Sequence, residues 1–388
     1  MSKHSYLQRI PGIGRHNIGV LSALILFSLA LTDAALAATA PPLGVASSFA
    51  VLGGATVTNT GTTIINGDMG VSPGTITGSA MTVSGTTHPA DVTAANAQID
   101  ATAAYTNLTG QGCNFGPLGA TDLAGATLVP GVYCYSSTLQ NSGILTLDAQ
   151  GNANAVWVFL IGSTLTTAVS SSMLLINGGQ QSNVFWQVGS SATLGVSSAF
   201  KGTIIALTSI TLNTSANVSG RVLARNGTVT LDSNTISLFP TLTFAKSVVA
   251  YSDPVNVTTN PKAMPGAEML YTITVTNSGY GAADNNTTVL TDPIPANMSM
   301  CVSTLCSNPP VIFSCSAAPA CGLTYTTANV TYSNQAGGGA PYTYLVAPDA
   351  AGYDSAVTGV KINPTGVFNG VSGGGNPSFS LSLRMKIK

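Results

Sequence analysis

The side chains that could do chemistry in this chain are few and scattered. Residues 41–240 contain six aspartates, Asp68, Asp91, Asp100, Asp122, Asp148 and Asp232, with no glutamate. One histidine, His88, and three bases, Lys201, Arg221 and Arg225, complete the set. Acid–base or nucleophilic catalysis needs such groups clustered, with pKa values tuned by their neighbours, and no such cluster is legible here. Asp68 and Asp232 stand beside turn residues and read as Asx-type turn formers; His88 reads as a residue at a helix entrance. The chain is therefore expected not to be an enzyme and to need no cofactor.

The cysteines divide into Cys113 and Cys134 before Pro240, and Cys301, Cys306, Cys315 and Cys321 after it. Four thiolates at the later spacings match no familiar zinc pattern, and His88 lies in the other half. Even counts on both sides favour disulfides in an exported chain, with Cys113 and Cys134 closing a turn-rich loop. The pairing of the other four stays open.

The residue type with a repeating arrangement is threonine. Between 183 and 239 the chain repeats every 18 residues or so. Lys201-Gly202-Thr203-Ile204-Ile205-Ala206 recurs as Ser219-Gly220-Arg221-Val222-Leu223-Ala224, and Ser191-Ala192-Thr193-Leu194 recurs at 209–212 and again at 228–231. So short a period means stacked coils, each relying on its neighbours to bury its apolar side. Period-two alternation places Leu194, Leu212 and Leu231 inside and Thr193, Thr211 and Thr230 outside. Three alternating segments per coil, parted by Gly, Asn or Ser, give a three-sided cross-section.

Similar short apolar pairs and turn signals fill 43–85 and 125–182. Between them, 89–109 is Ala-rich and free of Gly, with Val92, Ala95, Ile99, Ala103 and Thr106 on one helical face. Pro89 suits the first helical position, Asp91 the first turn and Gly110 the stop. One long helix lying along the coils is expected, with Trp157 and Trp186 in the core. After Pro240 the period is lost, and alternating stretches such as Leu270-Tyr271-Thr272-Ile273-Thr274-Val275-Thr276 point to a small β-sandwich over 245–388.

Only 6% of the residues are charged and the formal net charge is -1, so the basic patch that nucleic acid or an anionic membrane requires is missing. Residues 1–37 combine Lys3, Arg9 and Arg15, an apolar run over 20–31 and the exit Ala35-Leu36-Ala37. That order reads as a cleaved secretory signal, too short to span a bilayer. A secreted, extracellular product with no membrane insertion is expected.

The runs Phe49-Ala50-Val51-Leu52, Asn66-Gly67-Asp68-Met69-Gly70-Val71-Ser72-Pro73-Gly74, Pro130-Gly131-Val132-Tyr133 and Val184-Phe185-Trp186-Gln187-Val188 resemble the large microbial ice-binding family over 41–240. The resemblance implies a right-handed β-solenoid with a helix alongside, and an ice crystal surface as partner. It implies ice contact at a motif of Thr, Ala or Gly, any residue, then Thr or Asn. Thr60-Gly61-Thr62-Thr63 satisfies that motif, and Thr214-Ser215-Ala216-Asn217 departs from it only at Ser215. With Ser198 and Ala199 one coil earlier and Thr235 one coil later, the expected ice row is Thr63, Ala199, Asn217 and Thr235. The Thr193, Thr211 and Thr230 face is the runner-up. Residues 265–295 are similar to immunoglobulin-like repeats of bacterial surface proteins, implying attachment to a cell surface or matrix. The fold class expected is all-β dominated: a three-sided solenoid with one packed helix, then a sandwich. The competing function is a structural or adhesive surface protein that binds polysaccharide.

Overall fold

The computed structural model describes residues 37–283, 286–372 and 375–388; apart from Ala37, the expected secretory signal lies outside the described residues. From Phe49 to Ser237 the strands pair in parallel and stack as three faces. Strands Ala199–Ala206 and Asn217–Ala224 are long enough to cross a corner and belong to two faces at once. The alternation expected of the repeat holds: Leu194, Leu212 and Leu231 are buried, and Thr193, Thr211 and Thr230 lie opposite one another on the outside.

The stacking order differs from the chain order. Phe49–Gly53 lies between Asn217–Ala224 and Asp68–Val71. Thr56–Thr60 lies between Val229–Asp232 and Thr75–Gly78. Thr63–Asn66 lies between Thr235–Ser237 and Met81–Val83. The first coils of the chain thus cap the last one, and the chain must cross the whole stack before the remaining coils can be laid down. The helix Val92–Thr109 makes that crossing. From Thr87–Pro89 to Phe115–Leu118 the first face holds nine strands, about 38 Å at ~4.8 Å per strand. Eighteen helical residues cover about 27 Å of it, and Gly110 to Asn114 reach the rest.

Asp91 is the N-cap, its carboxylate accepting from Ala94 N at 2.8 Å, and Pro89 ends a strand just outside the helix. The expected Pro89 start is therefore three residues early, because a capping aspartate satisfies a free N–H of the first turn. The face also differs from the apolar pattern. Ala94, Ala97, Ala101, Ala104 and Leu108 are buried, whereas Val92 is 74% and Ile99 66% exposed. Alanine methyls let most of the helix lie close against Leu52, Val132, Val158, Phe185, Ile205 and Leu223, with Leu108 filling the seat at its C-terminal end.

An aromatic file runs along the stack, buried except at its Phe115 end. Phe115, Tyr133, Phe159, Trp186 and Phe200 follow one another at ring separations of 4.4, 5.5, 3.8 and 5.1 Å. Trp157 and Trp186 are core residues whose indole N–H groups donate to Leu128 O and Lys201 O, so neither carries an unsatisfied donor inside. Cys113 and Cys134 are bridged, with Cα atoms 5.8 Å apart. A loop of that length stabilises by about 3 kcal/mol in the chain-entropy picture. Cys301 pairs with Cys306 and Cys315 with Cys321.

From Leu242 onward the pairing is antiparallel. The strands form a six-stranded sheet built on Leu242–Ser252, Glu268–Asn277 and Ser378–Ile387, and a three-stranded one of Leu290–Pro293, Gly359–Ile362 and Val330–Ser333. Val275, Val360, Phe368, Phe379 and Leu381 share one core, and Lys246 Nζ is 2.7 Å from Asp292 Oδ1.

The close alanine contact predicts an asymmetry. Ala101→Leu should overpack the helix seat and lower unfolding free energy by about 1–3 kcal/mol in a denaturant titration. Ile99→Ser should leave it nearly unchanged; the reverse ranking would mean that the helix seats its other face.

Candidate functional site

Parallel pairing brings the outward residue of each coil into line with that of its neighbours, about 4.7–4.9 Å apart. On the second face this places Thr77, Thr58, Thr230, Thr211, Thr193 and Thr166 in one uninterrupted row. Gln140 and Asp122 continue it to the end of the stack. A second row runs beside it through Thr75, Thr56, Thr228, Ser209 and Ser191. Thr75 pairs with Thr56, and the Thr56 and Thr228 hydroxyls are 2.6 Å apart. Ser209 Oγ accepts from Thr228 N, and Ser191 Oγ accepts from Ser209 N. Threonine is stiff about χ1 because its Cβ is branched, so methyls and hydroxyls repeat at a set pitch in both directions.

None of the three solenoid bases touches this sheet. Lys201 faces outward on the third face, while Arg221 donates to Ser47 O and Arg225 to Thr102 Oγ1 on the helix side. Asp122 closes one end, accepting from Ser142 Oγ, Ser142 N and Ala124 N. The Ser142 hydroxyl chiefly, then the two backbone donors, hold its carboxyl below the usual range against a raising effect of burial. Asp232 lies at the margin and accepts from the Thr214 hydroxyl. Among the described residues no three His, Cys, Asp or Glu side chains converge on a metal-sized site.

The third face carries the row expected to contact ice, and the structure corrects part of it. Ala199, Asn217 and Thr235 are aligned and accessible, but the next partner of Thr235 is Ile64. Thr63 is fully buried, its hydroxyl donating to Asn59 Oδ1 at 2.6 Å and accepting from Asn234 N at 3.1 Å. The reason is a count. From Thr60, opposite Asp232, to Ile64, opposite Thr235, the corner holds one residue more than 232–235 does. One extra residue in a period-two strand turns Thr63 inward and Ile64 outward.

Ser198 and Ala216 are also interior, both fully buried, and Ser198 Oγ has no protein partner. Thr60, Gly61, Thr62 and Thr214 are exposed at the corner between the second and third faces. Ser215, half-buried, sits there with φ +61°, as Ser170, Ser197 and Ser233 do at +57°, +56° and +55°. Gly61 occupies the same place at φ +71°, where a Cβ would fall 2.1 Å from Ser233 Oγ. Serine at this motif position thus serves the left-handed corner. The third face is also less even, with Ile64 42%, Leu174 49% and Ile144 57% exposed along it.

Residues 51–237 match the Ice-binding-like family. An ice-binding protein from Nostoc sp. (strain HG1) is 50% identical over 221 residues, 56% of this chain and 81% of that protein. The chain belongs to the ice-binding-like family. An ice-binding protein from Flavobacterium frigoris (strain PS1) is 34% identical over 50% of this chain and 75% of its own length. The crystal structure of an ice binding protein from an Antarctic biological consortium superposes with a TM-score of 0.50 at 44% identity, covering 52% of this chain and 92% of that one. The family is defined by binding, not by a reaction. Its members match the parallel stack, and the antiparallel part lies outside the matched residues. No helix among the described residues is long and apolar enough to cross a membrane.

A buried Thr63 makes a separable prediction. Thr63→Val keeps the shape but leaves the Asn59 oxygen and the Asn234 N–H without this partner, lowering stability by roughly 1–3 kcal/mol. The fraction that remains folded should retain full ice activity; a loss of activity at unchanged melting temperature would put Thr63 back on the surface.

Proposed function

We propose that this chain is a secreted protein that adsorbs to ice through the threonine sheet of its solenoid and arrests crystal growth and recrystallisation. The observation that carries this reading is the row of six threonines on six successive coils, flanked by a second hydroxyl row and free of basic residues. Such an array orders water at its own pitch, and because its rotamers are already set, little conformational entropy is lost on docking. Each contact is weak, and the area makes the sum large.

The adjoining face, with Ala199, Asn217 and Thr235, is the rival surface. Its protruding Ile64, Leu174 and Ile144 favour the threonine sheet. So does its far margin, where Leu175, Gln180, Gln181 and Lys201 share a crevice with Leu242, Phe244 and Val289 of the antiparallel module. A flat crystal approaching that face meets the module; the threonine sheet has no such neighbour. Thr60, Gly61, Thr62 and Thr214 form the shared rim. A polysaccharide-binding role gains no support from either face, since no row of exposed rings lines it.

Thr211→Tyr should remove most of the thermal hysteresis with the far-UV spectrum and melting temperature nearly unchanged, and Asn217→Tyr should cost less. A larger loss from Asn217→Tyr would move the site to the third face. Exclusion of the unmodified protein from a slowly grown ice hemisphere would sink ice binding itself.

The antiparallel part is read as an immunoglobulin-like sandwich that takes no part in ice contact and serves as spacer or attachment to a cell surface or matrix. Two antiparallel sheets around one core support this. Removing residues 245–388 should leave hysteresis per mole close to that of the whole chain. Loss of nearly all activity in a truncated solenoid that still shows its β spectrum would refute the division.

A further inference from the structure

The two parts meet without a linker. Solenoid residues Leu238 and Phe239 are buried, and Leu242 already opens the first antiparallel strand. Onto this junction folds the turn 278–281. Ser278 N donates to Thr241 O at 2.8 Å. A Cβ at Gly279 would fall 2.5 Å from Phe239 O, and one at Gly281 would fall 1.6 Å from Leu238 O, so the turn lies on the exit segment 238–241 backbone to backbone.

Asn277, fully buried, ties the pieces together. Its Oδ1 accepts from Thr241 N and Gly279 N, each at 3.0 Å, and its Nδ2 donates to Gly281 O at 2.8 Å and Asn369 O at 2.9 Å. All four positions of the amide are used. Tyr280 reaches past the junction and packs against the solenoid core cluster. From the other side the Arg221 guanidinium lies 5.0 Å from the Phe239 ring centroid and donates through Nε and Nη2 to Ser47 O at 3.0 and 2.7 Å.

We propose that this junction is a rigid coupling, in which Asn277, Gly279, Tyr280 and Gly281 clamp the solenoid's exit segment 238–241 and hold the antiparallel module in one orientation. Two modules joined by an ordinary linker reorient independently. Here the sharing of a buried amide, two close backbone contacts and an aromatic side chain makes them one body. The coupling holds whatever the solenoid binds. Its consequence is that any surface gripping the module also sets the direction in which the threonine sheet points.

The test is backbone ¹⁵N relaxation on the full chain. Both parts should give a single rotational correlation time, and Gly281→Val, which drives a side chain into the Leu238 carbonyl, should split it into two while each part keeps its dispersed spectrum. If Gly281→Val does not fold, Tyr280→Ser should produce a smaller separation. Two correlation times in the unmodified chain would overturn the proposal, and so would one undivided time in a folded Gly281→Val, or in Tyr280→Ser where Gly281→Val does not fold.

Discussion

The structure depends on one long-range seam, the parallel docking of the coil at 49–66 onto the coil at 217–237. Val51 pairs with Val222, Val57 with Val229 and Ile65 with Ile236, across about 171 residues of chain. Neither coil buries its apolar side without the other. Such contacts reward the chain only after the closure entropy of everything between them has been met, so the stack is completed late, when the last coil exists. The threonine row crosses the same seam, with Thr58 beside Thr230, so the candidate surface is whole only when the seam is closed.

A flat surface also requires every coil to turn its corner alike. Between the second and third faces Ser170, Ser197, Ser215 and Ser233 all take left-handed backbone angles, with Gly61 and Ala80 at the corners of the first coils. A non-glycine residue pays roughly 1–2 kcal/mol for that conformation. The backbone links that follow from it offset part of this: Ser197 N donates to Thr214 O, Ser215 N to Asp232 O and Ser233 N to Thr60 O. The four serine corners, at 170, 197, 215 and 233, repeat one conformation, and that repetition keeps their coils in register.

Much of this was legible from residues alone. The 18-residue period, the Leu-in and Thr-out alternation, the helix between two sets of coils, the buried tryptophans and the Cys113–Cys134 bridge each rest on a local pattern that the stack preserves. What escaped was set by distant partners. Alanine is a poor marker of burial, so Val92 and Ile99 point to the wrong helix face when the seat is filled by four alanines and Leu108. Thr63 fits its motif by type, but the extra residue at its corner shows only against the coil that lies beside it in space. Stacking order itself leaves no mark on the local sequence, since a coil that pairs with its chain neighbour looks like one that pairs with a stranger.

The three sides of the stack are used differently, and that division follows from the covalent path. Crossing from one end to the other demands a long element, and the helix that supplies it covers the first face. The chain leaves the stack after Ser237, at the end of the third face, so the antiparallel module rises beside that face, where Lys201 and Leu175 share a crevice with Leu242. Only the second face neither carries the crossing nor lies beside the exit. Its strands contribute outward residues that touch no other element, which frees them from packing constraints and lets one residue type repeat. A threonine row six coils long can persist there because nothing else in the fold competes for those positions.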